Sequence, residues 1–169
     1  MNAKNLYKHL YKLLENVTPI KADCGKLCNA ACCEGDDETG MYLFPFEETM
    51  YNGTEKWLKI YDSDFFFNGK PVKLATCNGR CDRKKRPLSC RIFPLFSNEM
   101  QQICADKRAS HLCPLVAGKI QLDKYNPEFI ENVTKVFNIL QKFKITREYI
   151  KETQKIIDEY DGIQDIFKK

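Results

Sequence analysis

A run of four closely spaced cysteines constrains this chain more than any other feature. The run comprises Cys24, Cys28, Cys32 and Cys33. On a continuous helix, Cys24 and Cys32 would lie about 12 Å apart along the axis. That is too far for one zinc ion, which binds each thiolate at about 2.3 Å. The spacing therefore predicts either a helix broken within the run, as Gly25 and Asn29 permit, or ligands divided among more than one metal atom.

The adjacent pair Cys32 and Cys33 also favours more than one metal atom, because neighbouring side chains diverge in most backbone conformations. Further cysteines follow at Cys77, Cys81, Cys90, Cys104 and Cys113, making nine in all. Cys104 sits in a strand-like stretch, Gln101 to Ala105, and is expected to be a buried free thiol. The other eight would fill two four-cysteine sites, which predicts two metal centres.

The remaining composition favours a reduced, metal-binding protein over a secreted disulfide scaffold. An odd number of cysteines would leave one unpaired, and Met1 to Val17 lacks the continuous apolar core of a signal peptide. We therefore expect a cytoplasmic location. No apolar run is long enough to cross a membrane. A net charge of +4 is too small to indicate nucleic-acid binding.

The second cysteine set surrounds a basic run. The run comprises Arg80, Arg83, Lys84, Lys85, Arg86 and Arg91. Two zinc ions or two oxidised iron–sulfur clusters held by eight thiolates would be strongly negative, so these cations are interpreted as counter-charge or as a solvated loop. Nucleic-acid contact by Arg83 to Arg86 is the less favoured alternative.

The expected fold is mostly α, with short strands and irregular metal-bound loops. Apolar periodicity predicts a first helix ending near Thr18, a weak helix over Glu47 to Tyr61 and two C-terminal helices, the last ending at Asp161–Gly162. Asn68–Gly69 predicts a β-hairpin whose first strand buries Phe65 to Phe67, and Glu34 to Glu38 predicts a solvated turn. Two regions follow, namely 1–120 with the first helix and the cysteine cluster, and 121–169 as a helical hairpin packed on it.

Several segments together resemble the YkgJ-type cysteine-cluster family, a zinc- or iron-chelating domain. They are the four-cysteine run, Tyr42-Leu43-x-Pro45-x-Glu47-Glu48, Cys77-x3-Cys81, Arg86-Pro87-Leu88-Ser89-Cys90-Arg91-Ile92-Phe93-Pro94-Leu95, Asp106-x-Arg108-Ala109 and Cys113-Pro114-Leu115. The resemblance covers about residues 20 to 116. It implies metal chelation through Cys24, Cys28, Cys32, Cys33, Cys77, Cys81, Cys90 and Cys113, and it extends to flagellin lysine methylases.

Three functions remain open at this point. The first is a metal-binding protein with a structural, redox, storage or sensing role; the cysteine spacing favours iron–sulfur clusters over zinc as its cofactor. The second is an iron–sulfur enzyme in protein modification, with Arg91 and Arg108 as the predicted cofactor-binding residues in a cleft that Asp106 or His111 also lines. The third is a zinc-stabilised interaction module that presents the Arg83 to Arg86 loop to nucleic acid or to an acidic protein partner. His9 is expected to face solvent.

Overall fold

The structure is a computed structural model that describes residues 2–33, 39–79, 81–98 and 100–167, with side chains described as far as residue 160. Arg80 and the predicted turn at Glu34 to Glu38 lie outside the described residues. The helices are α1 (Ala3–Leu13), α2 (Cys24–Leu27), α3 (Leu88–Ile92), α4 (Pro114–Ala117), α5 (Pro127–Leu140) and α6 (Lys144–Phe167). The strands are β1 (Met41–Tyr42), β2 (Leu58–Phe67), β3 (Lys70–Cys77), β4 (Leu95–Ser97) and β5 (Ile103–Ala105).

Two antiparallel sheets are present. The larger has the strand order β1-β3-β2, and the smaller pairs β4 with β5. The predicted hairpin is confirmed: β2 and β3 are joined by Asn68 and Gly69, whose φ angles of 50° and 72° suit a two-residue hairpin turn. The Phe run does not bury as expected, since Phe66 is 63% exposed. Successive strand residues face opposite sides of the sheet, so only Phe65 and Phe67 pack against the core.

The first helix and the helix after Asn126 are confirmed. α1 buries Leu6, Tyr7, Leu10 and Tyr11, the apolar stripe of the sequence and its flanking tyrosines, but ends at Leu13 rather than near Thr18. α5 begins at Pro127, and the Asn126 side chain accepts a hydrogen bond from Glu128 N at 3.2 Å. α6 continues past the expected stop at Asp161–Gly162 and reaches Phe167.

The expected fold class is wrong, because the protein is a mixed α and β structure. Most of the predicted weak helix over Glu47 to Tyr61 is replaced by a 3-10 turn at Glu47–Met50 and by the start of β2. Its weak periodicity is overridden by pairing with β3. The segment 77–113, expected to be irregular, contains α3 as well as β4 and β5.

The main contacts of the two C-terminal helices in the described residues are with different elements, so the expected helical hairpin stays a prediction. α5 packs on α1 and β5, whereas α6 packs on β4 and on a 3-10 turn at Lys107–His111. Buried residues of α1, α3, β4, α5 and α6 belong to one hydrophobic cluster, so both regions of the chain contribute to one core. In the part of the chain that the structure describes, no helix combines the length and apolar character needed to span a bilayer.

Candidate functional site

The four-cysteine run is folded as two short helical turns with a break between them. Cys24 begins α2, Cys28 ends it, and a 3-10 turn spans Ala31–Cys33. Between the two turns, Asn29 and Ala30 adopt left-handed conformations with φ angles of 52° and 55°. The predicted helix break is therefore confirmed at Asn29. That Ala30 shares the left-handed conformation was not predicted, because alanine rarely adopts it.

The five cysteines of the second set come from five separate places in the fold. Cys77 ends β3, Cys81 lies in the following loop, and Cys90 is on α3. Cys113 is the residue before α4, which starts at Pro114. Cys104 is on β5, where its Sγ lies 3.6 Å from the Phe96 carbonyl oxygen of β4. All nine cysteines are free thiols.

Eight of the nine cysteines line two adjoining cavities. The outer thiol cavity has a volume of about 650 Å³, and Cys24, Cys28 and Cys113 line this cavity but not the second one. The inner thiol cavity has a volume of about 100 Å³, and Cys77 lines this cavity but not the outer one. The thiols shared by the two cavities are Cys32, Cys33, Cys81 and Cys90. The eight are the same cysteines that the sequence singled out as ligands.

Electrostatic coupling groups these eight thiols into two sets, which are linked through the contact between Cys32 and Cys33. Burial raises the pKa of Cys24, and the thiols of Cys28 and Cys113 raise it further. Burial likewise raises the pKa of Cys90, but the thiols that act on it are those of Cys33, Cys77 and Cys81.

The two adjacent cysteines fall into different sets. Cys32 donates a hydrogen bond to Cys33, which raises the pKa of Cys32 and is the main cause of the lowered pKa of Cys33. Apart from this contact, Cys32 is coupled to Cys28 and Cys24, whereas Cys33 is coupled to Arg86. The outer set is therefore Cys24, Cys28, Cys32 and Cys113, and the inner set is Cys33, Cys77, Cys81 and Cys90.

Arg86 is the basic side chain most closely engaged with the inner set. Its Nε donates to Cys81 Sγ at 3.1 Å. Burial opposes the charged form of Arg86, yet this bond and the sulfurs of Cys81, Cys90 and Cys33 hold its pKa above the ordinary value. A fixed cation at this place lowers the free energy of thiolates, the form in which cysteine binds metals. Arg86 therefore supplies the positive charge that is expected beside the thiolates.

The donor chemistry fits a metal, but the side chains are not gathered around one point. Among the residues with described positions, no three His, Cys, Asp or Glu side chains lie close enough to hold a metal ion. Two four-thiol sets nevertheless match the soft sulfur ligands that zinc and iron–sulfur clusters take in proteins. Metal binding would require these side chains to close into the cavities that they line.

Arg91, a predicted cofactor-binding residue, is bonded mainly to the main chain. It is 7% exposed and donates to the carbonyl oxygens of Arg83, Lys84 and Arg86 at 2.8, 2.9 and 2.7 Å. A longer bond of 3.3 Å reaches the Tyr11 carbonyl, and the guanidinium carbon lies 4.3 Å from the centre of the Tyr11 ring. Arg91 therefore ties the basic run to α1 at the edge of the outer thiol cavity.

Glu47 is a buried structural acid that the sequence interpretation missed. Its Oε1 accepts hydrogen bonds from Tyr11 Oη and Leu88 N, both at 2.6 Å, and its Oε2 accepts one from Phe44 N at 2.9 Å. Burial raises the pKa of Glu47, and these three bonds and Arg91 oppose that rise. Glu47 thus joins α1, the segment just after β1 and the start of α3, the helix that carries Cys90. Its place in the segment Tyr42-Leu43-x-Pro45-x-Glu47-Glu48, one of those that carry the family resemblance, was the available sequence evidence.

Arg108, the other predicted cofactor-binding residue, is paired with Asp106. Its Nε and Nη2 donate to the two carboxylate oxygens at 3.0 and 2.7 Å. Both residues line a third cavity, which also includes Tyr149 of α6. His111 is not part of that wall; its ring centre lies 6.3 Å from that of Tyr160. His9 is exposed, as expected.

Comparison with protein-family models, with curated proteins and with solved structures finds no match for this chain. The resemblance to the YkgJ-type family stays a prediction, and the functional argument depends on the residues themselves.

Proposed function

We propose that this protein binds metal at two centres, as zinc ions or as iron–sulfur clusters. The outer centre would use Cys24, Cys28, Cys32 and Cys113, and the inner centre Cys33, Cys77, Cys81 and Cys90. One observation carries the proposal. Elements far apart in the chain bring eight cysteines around two adjoining cavities, while the ninth, Cys104, lies apart on β5.

A bound metal would link the four-cysteine run to the segment 77–113. Metal binding would therefore be coupled to the folding of both segments. Thiolates bound to metal need nearby positive charge, and Arg86 supplies it at the inner set. Free thiols in this number are typical of a reducing compartment, so we also propose a cytoplasmic location.

The two centres would differ in how easily solvent and small molecules reach them. Cys32 of the outer set is exposed, and its cavity is several times larger than the inner one. A closed four-cysteine site is the usual structural form, whereas an open one can exchange ligands. We therefore assign a structural role to the inner centre and an exchangeable or reactive role to the outer centre.

A catalytic use of an iron–sulfur centre is the second candidate. It is favoured by the cavity lined by Asp106 and Arg108, which shares Phe93 and Leu112 with both thiol cavities. An interaction module displaying the basic run has less support. Arg83 lies 3.8 Å from Asp23 and Lys85 lies 2.9 Å from Glu55, so these two cations of the basic run are paired with carboxylates of the same chain.

Anaerobic purification followed by metal and sulfide analysis tests the proposal. We expect two zinc ions or two four-iron clusters per chain. Cys24→Ser and Cys90→Ser should each lose one equivalent, while the matched variant Cys104→Ser should lose none. A folded wild-type protein that takes up neither zinc nor iron would contradict the proposal, as would equal metal loss in all three variants.

A further inference from the structure

The third cavity, here called the Arg108 cavity, has the form of a small-molecule site. Its volume is about 450 Å³, and it lies between the larger sheet, α3 and α6. Much of the wall is apolar and deeply buried, including Phe44, Ile92 and Leu95. Small-molecule sites commonly have volumes of about 300–1,000 Å³, apolar walls and a few polar groups that orient the ligand.

The polar groups in the wall are mainly hydrogen-bond donors. Asp106 holds the Arg108 guanidinium through two bonds, so its plane is fixed at the wall. Arg108 is electrostatically coupled to the phenols of Tyr149 and Tyr42, which line the same cavity. Thr153, beside Tyr149, is 2% exposed, and its hydroxyl is a hydrogen-bond partner of the Tyr149 phenol. The pair places two hydroxyl groups in the wall, where either can bond to a ligand.

The charges around the cavity indicate an uncharged ligand. Arg108 and Asp106 neutralise each other, and the other charged residue in the wall is Asp64, which is exposed. An anionic ligand would lose hydration without gaining a free cation, and a cationic ligand would gain only the exposed, solvent-screened carboxylate of Asp64. We propose that the Arg108 cavity binds a small uncharged molecule with an apolar body and a hydrogen-bond acceptor, such as an amide or ketone carbonyl.

Three probes of the same shape and different charge test this assignment. Phenylacetamide is neutral, phenylacetate is its anionic counterpart and phenylacetamidinium its cationic counterpart. Titration of the full-length ¹⁵N-labelled protein should give saturable amide shifts around Tyr42, Leu74 and Arg108 with phenylacetamide. The two ions should bind at least about tenfold more weakly, because the anion meets no free cation and the cation meets only the exposed carboxylate of Asp64. Equal or tighter binding of either ion would overturn the proposal, as would shifts confined to other parts of the protein.

Substitution within the wall supplies the second test. Tyr149→Phe removes one donor and keeps the ring that packs on Phe44 and Phe67, so phenylacetamide should bind about three- to tenfold more weakly. Thr153→Val should act in the same direction and serves if Tyr149→Phe fails to fold. Tyr125→Phe, the matched control, deletes a buried hydroxyl that does not line this cavity. Unchanged affinity in both wall variants would refute the assignment.

The proposal does not depend on metal. The titrations are to be run on zinc-loaded protein and on metal-free protein whose fold has been checked, and binding of the amide in every folded sample is the expected result. Failure of the folded protein to take up either zinc or iron would therefore contradict the proposed function and leave this site intact. If phenylacetamide binds to neither sample, the proposal for the Arg108 cavity is overturned and the proposed function is unaffected.

Discussion

Removal of the Glu47 carboxylate should destabilise the protein more than most single substitutions. In Glu47→Ala, the buried amides of Leu88 and Phe44 lose their acceptor, while Tyr11 Oη keeps a contact of 2.9 Å with Tyr51 Oη. Each buried donor left unsatisfied costs about 1–3 kcal/mol. We therefore expect a loss of about 3–5 kcal/mol in the free energy of unfolding, as for removal of one partner from a buried polar network.

Urea denaturation of the metal-free, reduced protein measures this loss. Glu47→Gln keeps one carbonyl oxygen and should be intermediate. Glu48→Ala, a change at the neighbouring and less buried carboxylate, should stay within about 0.5 kcal/mol of the wild type. A loss below about 1 kcal/mol in Glu47→Ala would refute the reasoning, because it would mean that the two amides find other partners at little cost.

The same variants give a test by pH. Burial raises the folded-state pKa of Glu47 above its ordinary value of 4.5. The contribution of this carboxyl is therefore fully present below about pH 4.5 and is lost as pH rises through the folded-state pKa. The stability advantage of the wild type over Glu47→Gln should narrow between pH 4 and pH 7. A widening advantage would show that hydrogen bonds and Arg91 outweigh burial.

Three further predictions concern the thiols. With metal bound, Cys33→Ser and Cys90→Ser should lower the melting temperature far more than Cys104→Ser, and equal melting temperatures would show that the ligand assignment is wrong. A chelator should remove the two metals in two phases, and the fast phase should disappear in Cys24→Ser. A single phase in the wild type would contradict the proposal that the outer centre is more accessible than the inner one. In metal-free protein at pH 7, alkylation mapped by mass spectrometry should modify Cys33 before Cys90, because the pKa of Cys33 is lowered to about 6 and that of Cys90 is raised. Arg86→Gln should slow the labelling of Cys33, and an unchanged rate would exclude Arg86 as a cause.

The sequence alone predicts features that depend on neighbouring residues. Asn68–Gly69 predicts the hairpin because few other pairs adopt two successive left-handed conformations easily. Asn126–Pro127 predicts the start of α5 through a side-chain cap and a fixed φ angle. The rise of a helix likewise predicts that the cysteine run must break or serve more than one metal, and the break lies at Asn29 and Ala30.

Other features depend on contacts between distant segments, and only the tertiary structure decides them. The stretch 58–61 becomes a strand because β3 pairs with it, although its own periodicity is weak. Glu47 is buried because Tyr11, Phe44 and Leu88 meet there to donate hydrogen bonds. The division of the thiols has the same origin. Composition and spacing predict eight candidate ligands, but which cysteines share a cavity depends on how β3, α3 and α4 pack beside the first run.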